Sequence, residues 1–247
     1  MRDTRILMGM PITVEIVGAQ NATTINAVFD YLNQVDARFS TYKDNSEISA
    51  FNRGEVLPAN LSAEMKDVLR LSAITRDQSK GFFEIRKVDG TLDPSGIVKG
   101  WAINNAAKII RGQGHDDYFI EAGGDVQSGG LNEEGCEWRI GIRSPFHSNE
   151  IIKVVTPRGQ GMATSGTYVR GQHIYNPHEP AKAIEDIISL SVIGPDILEA
   201  DRFATAAFAM GGQGIYFIEN LPGFEGYMVN AQGIATQTTG FGAYVLS

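Results

Sequence analysis

Apolar residues recur at three- and four-residue spacing from Thr24 to Phe39, where Ile25, Val28, Phe29, Leu32, Val35 and Phe39 mark one face of an amphipathic helix. A second helical pattern follows Ser62, which reads as its N-cap, with Met65, Val68, Leu69 and Leu71 to Ile74 on the buried side. A third runs from Gly96 to Arg111 and ends at Gly112, and a last one covers about Leu198 to Met210. Partial alternation marks Pro11 to Val17 as a strand, followed by the turn-like stretch Gly18 to Thr23. Short strand-like runs come later, at Tyr118 to Glu121, Trp138 to Ile142, Ile151 to Val155, Ile187 to Val192, Ile215 to Ile218 and Gly226 to Val229. Ser40 to Gly54 is mostly polar around Tyr42, Ile48 and Phe51, and reads as a loop with anchoring side chains. Helices and strands mix without a regular βαβ alternation, so the fold class is α+β.

Composition narrows the class. With 247 residues and 43% apolar content, the chain supports one large compact domain or two closely packed lobes. A formal net charge of −8 without clustered Lys or Arg argues against nucleic acid as a partner. Any small anionic ligand therefore needs a local positive device such as a metal, a helix N-terminus or one placed lysine. Cys136 is the only cysteine, which rules out an intramolecular disulfide and assigns the thiol to packing. No segment approaches the ~20 apolar residues of a membrane helix, and Met1 to Met10 carries no apolar run of signal-peptide length. The expectation is a soluble cytoplasmic protein, and an exported form whose signal had been removed would read the same.

Chemistry enters with Glu199-Ala-Asp-Arg-Phe-Ala-Thr205, where Asp201 and Thr205 stand four apart and share a helix face. A carboxylate and a hydroxyl are ligands that Mg²⁺ accepts. The same spacing equally fits an Asp201 that favours the helix N-terminus and a Thr205 bonded to its own backbone. Leu92-Asp-Pro-Ser-Gly-Ile-Val-Lys-Gly100 places Asp93, a Ser-Gly turn and Lys99 in one short loop entering a helix. That is a phosphate grip without Walker A spacing, or an ordinary helix start with a solvated lysine. Glu121-Ala-Gly-Gly-Asp125 puts Asp125 after two glycines able to take positive φ, and Ala163-Thr-Ser-Gly166 offers the hydroxyls of Thr164 and Ser165. Of four histidines, His173 stands in the most suggestive setting, His173-Ile-Tyr-Asn-Pro177, as a base near neutral pH or as a structural residue. A Ser165-His173-Asp triad lacks the G-x-S-x-G elbow.

In this order the motifs resemble the ApbE family, the FAD:protein FMN transferases. Met8-Gly-Met10 is similar to the family's Met-Gly-Thr. Ser40-Thr-Tyr42, Ser46-Glu-Ile48 and Phe51-Asn52 are similar to S-x-Y…S-E-(I/L)…(F/L)-N. Asp93 to Trp101 resembles D-L-G-(A/G)-I-A-K-G-(Y/W), and Glu121 to Asp125 resembles N-x-G-G-D. Ala163 to Gly166 matches A-T-S-G, His173 to Pro177 resembles H-I-I-D-P, and Glu199 to Thr205 resembles E-A-D-A-x-(A/S)-T. The likeness runs from Met8 to about Gly211. It implies an ApbE-like domain over residues 1–247 that uses Mg²⁺ to transfer the FMN half of FAD to a Ser or Thr hydroxyl of an acceptor flavoprotein, with AMP released. The rival readings are an FAD pyrophosphatase, with water as nucleophile, and a non-catalytic flavin carrier.

The resemblance further implies that Asp201, Thr205 and the Gly96 carbonyl hold the metal and that His173 is the catalytic base. FAD contacts are implied at Met8, Tyr42, Asp93, Lys99 and Ile174, and Phe82, Phe83, Glu84, Asp125, Thr164 and Ser165 complete the candidate binding set. Four departures stand out. Gly81-Phe-Phe-Glu84 replaces G-x-F-D, the long segment that usually follows is reduced to Ile85 to Leu92, Asn176 replaces the Asp of H-I-I-D-P, and Pro94-Ser95 replaces Leu-Gly.

Overall fold

The structure is a computed structural model that describes residues 1–147, 149–167 and 174–246. Its strands are β1 (Arg2–Leu7), β2 (Met10–Ile16), β3 (Tyr118–Ala122), β4 (Asp125–Gly129), β5 (Ile140–Arg143), β6 (Ile151–Val155), β7 (Gly161–Gly166), β8 (Ile187–Gly194), β9 (Glu225–Asn230) and β10 (Ala235–Gln237). The helices are α1 (Thr23–Phe39), α2 (Glu47–Asn52), α3 (Ala63–Gln78), α4 (Ser95–Gly112), α5 (Ile197–Ala209) and α6 (Gly214–Glu219). Eight strands form one sheet in the order β1-β2-β3-β4-β7-β8-β9-β10, antiparallel at every pairing, and β5 and β6 form a separate two-stranded ribbon. The fold is α+β.

Strand alternation divides the core in two. Ile12, Val14, Ile120, Ala163, Leu190 and Val192 face the helical layer, where α4 lies between α1 and α5. On the opposite face Val126, Met162, Ile193, Tyr227 and Val229 pack with Ile140, Ile142 and Val155 of the ribbon and with Phe241. The second half of the sheet is thus covered on both sides. That is why β8 is buried almost throughout rather than alternating with solvent.

Several expected elements hold in place. Ser62 caps α3 by accepting the Met65 amide at 3.1 Å, and α1 and α5 begin within a residue of the expected positions. Others are corrected. The expected loop Ser40 to Gly54 contains α2, capped by Ser46 and pinned by the fully buried Ile48; six residues are too few for periodicity to reveal. Ile215 to Ile218 is helical rather than extended, because Ile215 and Ile218, three apart, both turn into the core. Helix α4 continues through Gly112, and the chain leaves it at Gly114, which has φ +83°. Trp138 lies before β5 and stacks on Phe119, with ring centroids 5.2 Å apart. Cys136 is exposed, so it does not serve packing. No helix among the described residues is long and apolar enough to cross a membrane.

Candidate active site

The site lies where the N-terminal turns of α4 pass the middle of α5, at the sheet ends of β4 and β7. Two side chains start α5 here: Asp196 accepts the Glu199 amide at 2.9 Å, and Gln127, pointing down from β4, accepts the Ile197 amide at 3.0 Å. Asp201 and Thr205 follow on successive turns. At the start of α4, Asp93 accepts the Ser95 amide at 3.2 Å, so Gly96 falls in the first turn and Lys99 within the helix rather than in a loop.

Asp201 is almost fully buried, and its Oδ2 accepts the Gly100 amide at 2.7 Å. Thr205 Oγ1 approaches the Gly96 carbonyl oxygen at 3.3 Å. Two helices therefore bring a carboxylate, a hydroxyl and a carbonyl to the wall of one cleft, a set of hard oxygens of the kind that Mg²⁺ takes while keeping positions for phosphate and water. Among the described residues no three His, Cys, Asp or Glu side chains gather as a metal site, so this mixed oxygen set is the candidate. Burial pushes the Asp201 carboxyl up to about 7; Lys99 opposes this and Asp125 adds to it. A cation would therefore meet a carboxylate that its surroundings otherwise discourage from ionising.

Lys99 Nζ lies 2.7 Å from Asp125 Oδ2 and 4.0 Å from Asp201 Oδ1. It opens onto a cleft whose walls also include Phe82, Phe83, Glu84, Asp93, Gly96, Thr164, Ser165, Ile174, Asp201 and Thr205. The fold thus gathers most of the expected site residues from five separate stretches of chain. Burial raises Asp93, but hydrogen bonds from Lys87, at 3.0 Å, and Ser95 outweigh it and hold the carboxyl below its usual range. Phe82 is held edge-on to His178, with ring centroids 4.6 Å apart, and Glu84 accepts the Arg86 amide at 2.7 Å.

Three expected residues lie elsewhere. Asp125 is fully buried behind Lys99 and is not on the cleft wall. Met8 sits in the β1–β2 turn with φ +53°, half-buried against the helical core, and Tyr42 is 97% exposed; neither is among the described residues lining the cleft. His173 lies outside the described residues. The structure also adds wall residues that the sequence did not announce: Lys87, Tyr175 and Gly141 to Arg143. Burial raises the Tyr175 hydroxyl, with Glu84 contributing. Nothing local in Ile140-Gly-Ile-Arg143 signals a cleft; the ribbon reaches it only by folding over the sheet.

The family model described as ApbE family matches residues 8–88 and 85–228. Among curated relatives, the chain is 29% identical over 156 residues to the FAD:protein FMN transferase of Escherichia coli (strain K12), covering 60% of this chain and 44% of that protein. It is 25% identical over 252 residues to the FAD:protein FMN transferase of Vibrio cholerae, covering 78% and 75%. The match thus spans less than half the length of the Escherichia coli relative. Among solved structures, the flavin transferase ApbE from Vibrio cholerae superposes with a TM-score of 0.86 at 20% identity, covering 99% of this chain and 98% of that one. The ApbE protein of Thermotoga maritima does so with a TM-score of 0.86 at 18% identity, covering 100% and 99%. At these identities the structural likeness is one of fold.

Proposed function

The chain belongs to the ApbE family, and from that premise we propose that it transfers the FMN half of FAD to a Ser or Thr hydroxyl of an acceptor flavoprotein in a Mg²⁺-dependent reaction. The observation that carries this reading is the meeting of Asp201, Thr205, the Gly96 carbonyl and Lys99 on one cleft floor. Displacement at a pyrophosphate needs positive charge against the phosphate oxygens, a placed nucleophile and a proton acceptor. Bound Mg²⁺ supplies the electrophilic charge that favours departure of a phosphate. Asp201, Thr205 and the Gly96 carbonyl would hold that ion, and Lys99 offers its ammonium to the phosphate oxygens. The acceptor oxygen bonds to the FMN phosphorus, the bond from that phosphorus to the bridging oxygen breaks, and AMP leaves with that oxygen. His173 takes the hydroxyl proton. Phe82, Phe83, Ile174 and Asp93 line the walls against which the dinucleotide lies, and Thr164 and Ser165 offer it polar groups. Met8 and Tyr42, which lie off the cleft wall, are proposed to meet FAD where it extends beyond the cleft.

The test is incubation of the protein with FAD, Mg²⁺ and candidate flavoprotein subunits, followed by intact-mass measurement and in-gel flavin fluorescence. The expected result is an acceptor heavier by one FMN, lost in excess EDTA. Free FMN and AMP without an adduct on any acceptor would instead make water the nucleophile. FAD bound and left intact would reduce the protein to a flavin carrier.

A further inference from the structure

Asp125 is fully buried, and both of its oxygens have partners within the protein: Oδ1 accepts the Thr164 amide at 3.0 Å, and Oδ2 lies 2.7 Å from Lys99 Nζ. Its place is set by the backbone. Gly123 and Gly124 adopt φ +59° and +96°, conformations that suit glycine, and close β3 onto β4 in a two-residue turn with Asp125 opposite Ala122. Alternation along β4 then sends Asp125 and Gln127 to the helical side, where Gln127 meets α5 and Asp125 meets α4. The carboxylate is oriented by β7, charged against α4 and withheld from the cleft, while Lys99 lines it.

We propose that Asp125 is a positioning residue for the cation that receives a pyrophosphate: acting through Lys99, it holds the ammonium at the cleft floor, so affinity for pyrophosphate-bearing nucleotides depends on it. A lysine stem is long and rotamer-rich, and fixing it before the ligand arrives removes an ordering cost from binding. The competing attractor is Asp201, whose Oδ1 is 4.0 Å from the ammonium. Without the negative charge at position 125, Lys99 is drawn toward Asp201, away from ligand oxygens and onto the carboxylate offered to the metal. The inference deepens the reading of the cleft as an FAD site and rests on it.

The experiment titrates the 247-residue protein, in saturating Mg²⁺, with FAD, ADP and riboflavin by calorimetry or flavin fluorescence, for wild type, Asp125→Asn, Lys99→Met and the double variant. Asn keeps an oxygen for the Thr164 amide and replaces the carboxylate oxygen that faces Lys99 with a neutral NH₂ group. The expected result is an affinity loss of about tenfold for FAD and ADP in Asp125→Asn, the scale of one charge-assisted contact, with riboflavin unchanged. The double variant is expected to bind no more weakly than Lys99→Met alone. Asp125→Glu, which keeps the charge on a longer stem, is expected to recover part of the loss, and it makes the same three-ligand comparison should Asp125→Asn fail to fold. Equal weakening of riboflavin, or losses that multiply in the double variant, would overturn the proposal. Wild type that binds FAD and ADP with no loss in Asp125→Asn overturns this inference alone, whereas wild type that binds neither overturns it together with the functional reading.

Discussion

Gly100 and Asp201 are in contact across the α4–α5 interface: the Gly100 amide donates to Asp201 Oδ2 at 2.7 Å, and a Cβ on Gly100 would stand 2.6 Å from Asp201 Cβ and 2.7 Å from the Ile197 carbonyl oxygen. The missing side chain lets the helices approach closely enough for one backbone N–H to orient the carboxylate. Gly100→Ala is expected to push α5 away, costing about 1–3 kcal/mol from overpacking, and to weaken the effect of Mg²⁺ on melting. A variant that melts with wild type, with and without Mg²⁺, would show that the close approach is dispensable.

The raised Asp201 carboxyl sets a pH dependence. Its folded-state value of about 7 lies above the ordinary 3.8, so the neutral form favours folding below the ordinary value, and that contribution is lost as pH rises through about 7. A divalent cation at the proposed site would reverse the preference by binding the ionised form. The melting-temperature gain from Mg²⁺ is therefore expected to be larger at pH 8 than at pH 6. In Asp201→Asn the gain should vanish at both pH values, with the fold retained. A gain that is the same at both pH values in wild type would remove Asp201 from the metal site.

Asp196 controls where α5 begins, and hence where Asp201 and Thr205 stand. Asp196→Ala removes the acceptor for the Glu199 amide and is expected to cost about 1 kcal/mol. Chemical denaturation gives the number directly. The loss should be partial, because Gln127 still holds the Ile197 amide; complete unfolding at room temperature would mean that Asp196 does more than cap.

For His173 the expectation separates binding from chemistry. As the acceptor of the hydroxyl proton, its replacement by Ala should lower single-turnover FMN transfer ~10²–10⁴-fold, with FAD affinity nearly unchanged. The wild-type rate should fall as pH drops through the histidine titration range, because only neutral imidazole accepts a proton. Parallel loss of FAD affinity and thermal stability, with turnover per bound FAD intact, would make His173 structural.

Local pattern determined what depends on near neighbours in the chain. The amphipathic face of α1, the Ser62 cap and the four-residue spacing of Asp201 and Thr205 each arise within a few turns, so periodicity and side-chain chemistry expose them. The order of the motifs carried the family and the candidate metal set. Tertiary structure decided what depends on distant parts meeting. Ala163 to Gly166 looks like a loop by composition, yet it is β7, because pairing with β4 and β8 satisfies its backbone and Asp125 takes the Thr164 amide. Asp125 reads in sequence as one more polar group near a ligand; only the turn at Gly123 and Gly124, with α4 packed beneath, buries it against Lys99. Arg143 reaches the cleft because its ribbon covers the second face of the sheet, a contact between segments whose partners no local spacing identifies. Sequence thus named the candidate groups, and packing decided which of them line the cleft and which lie buried behind it.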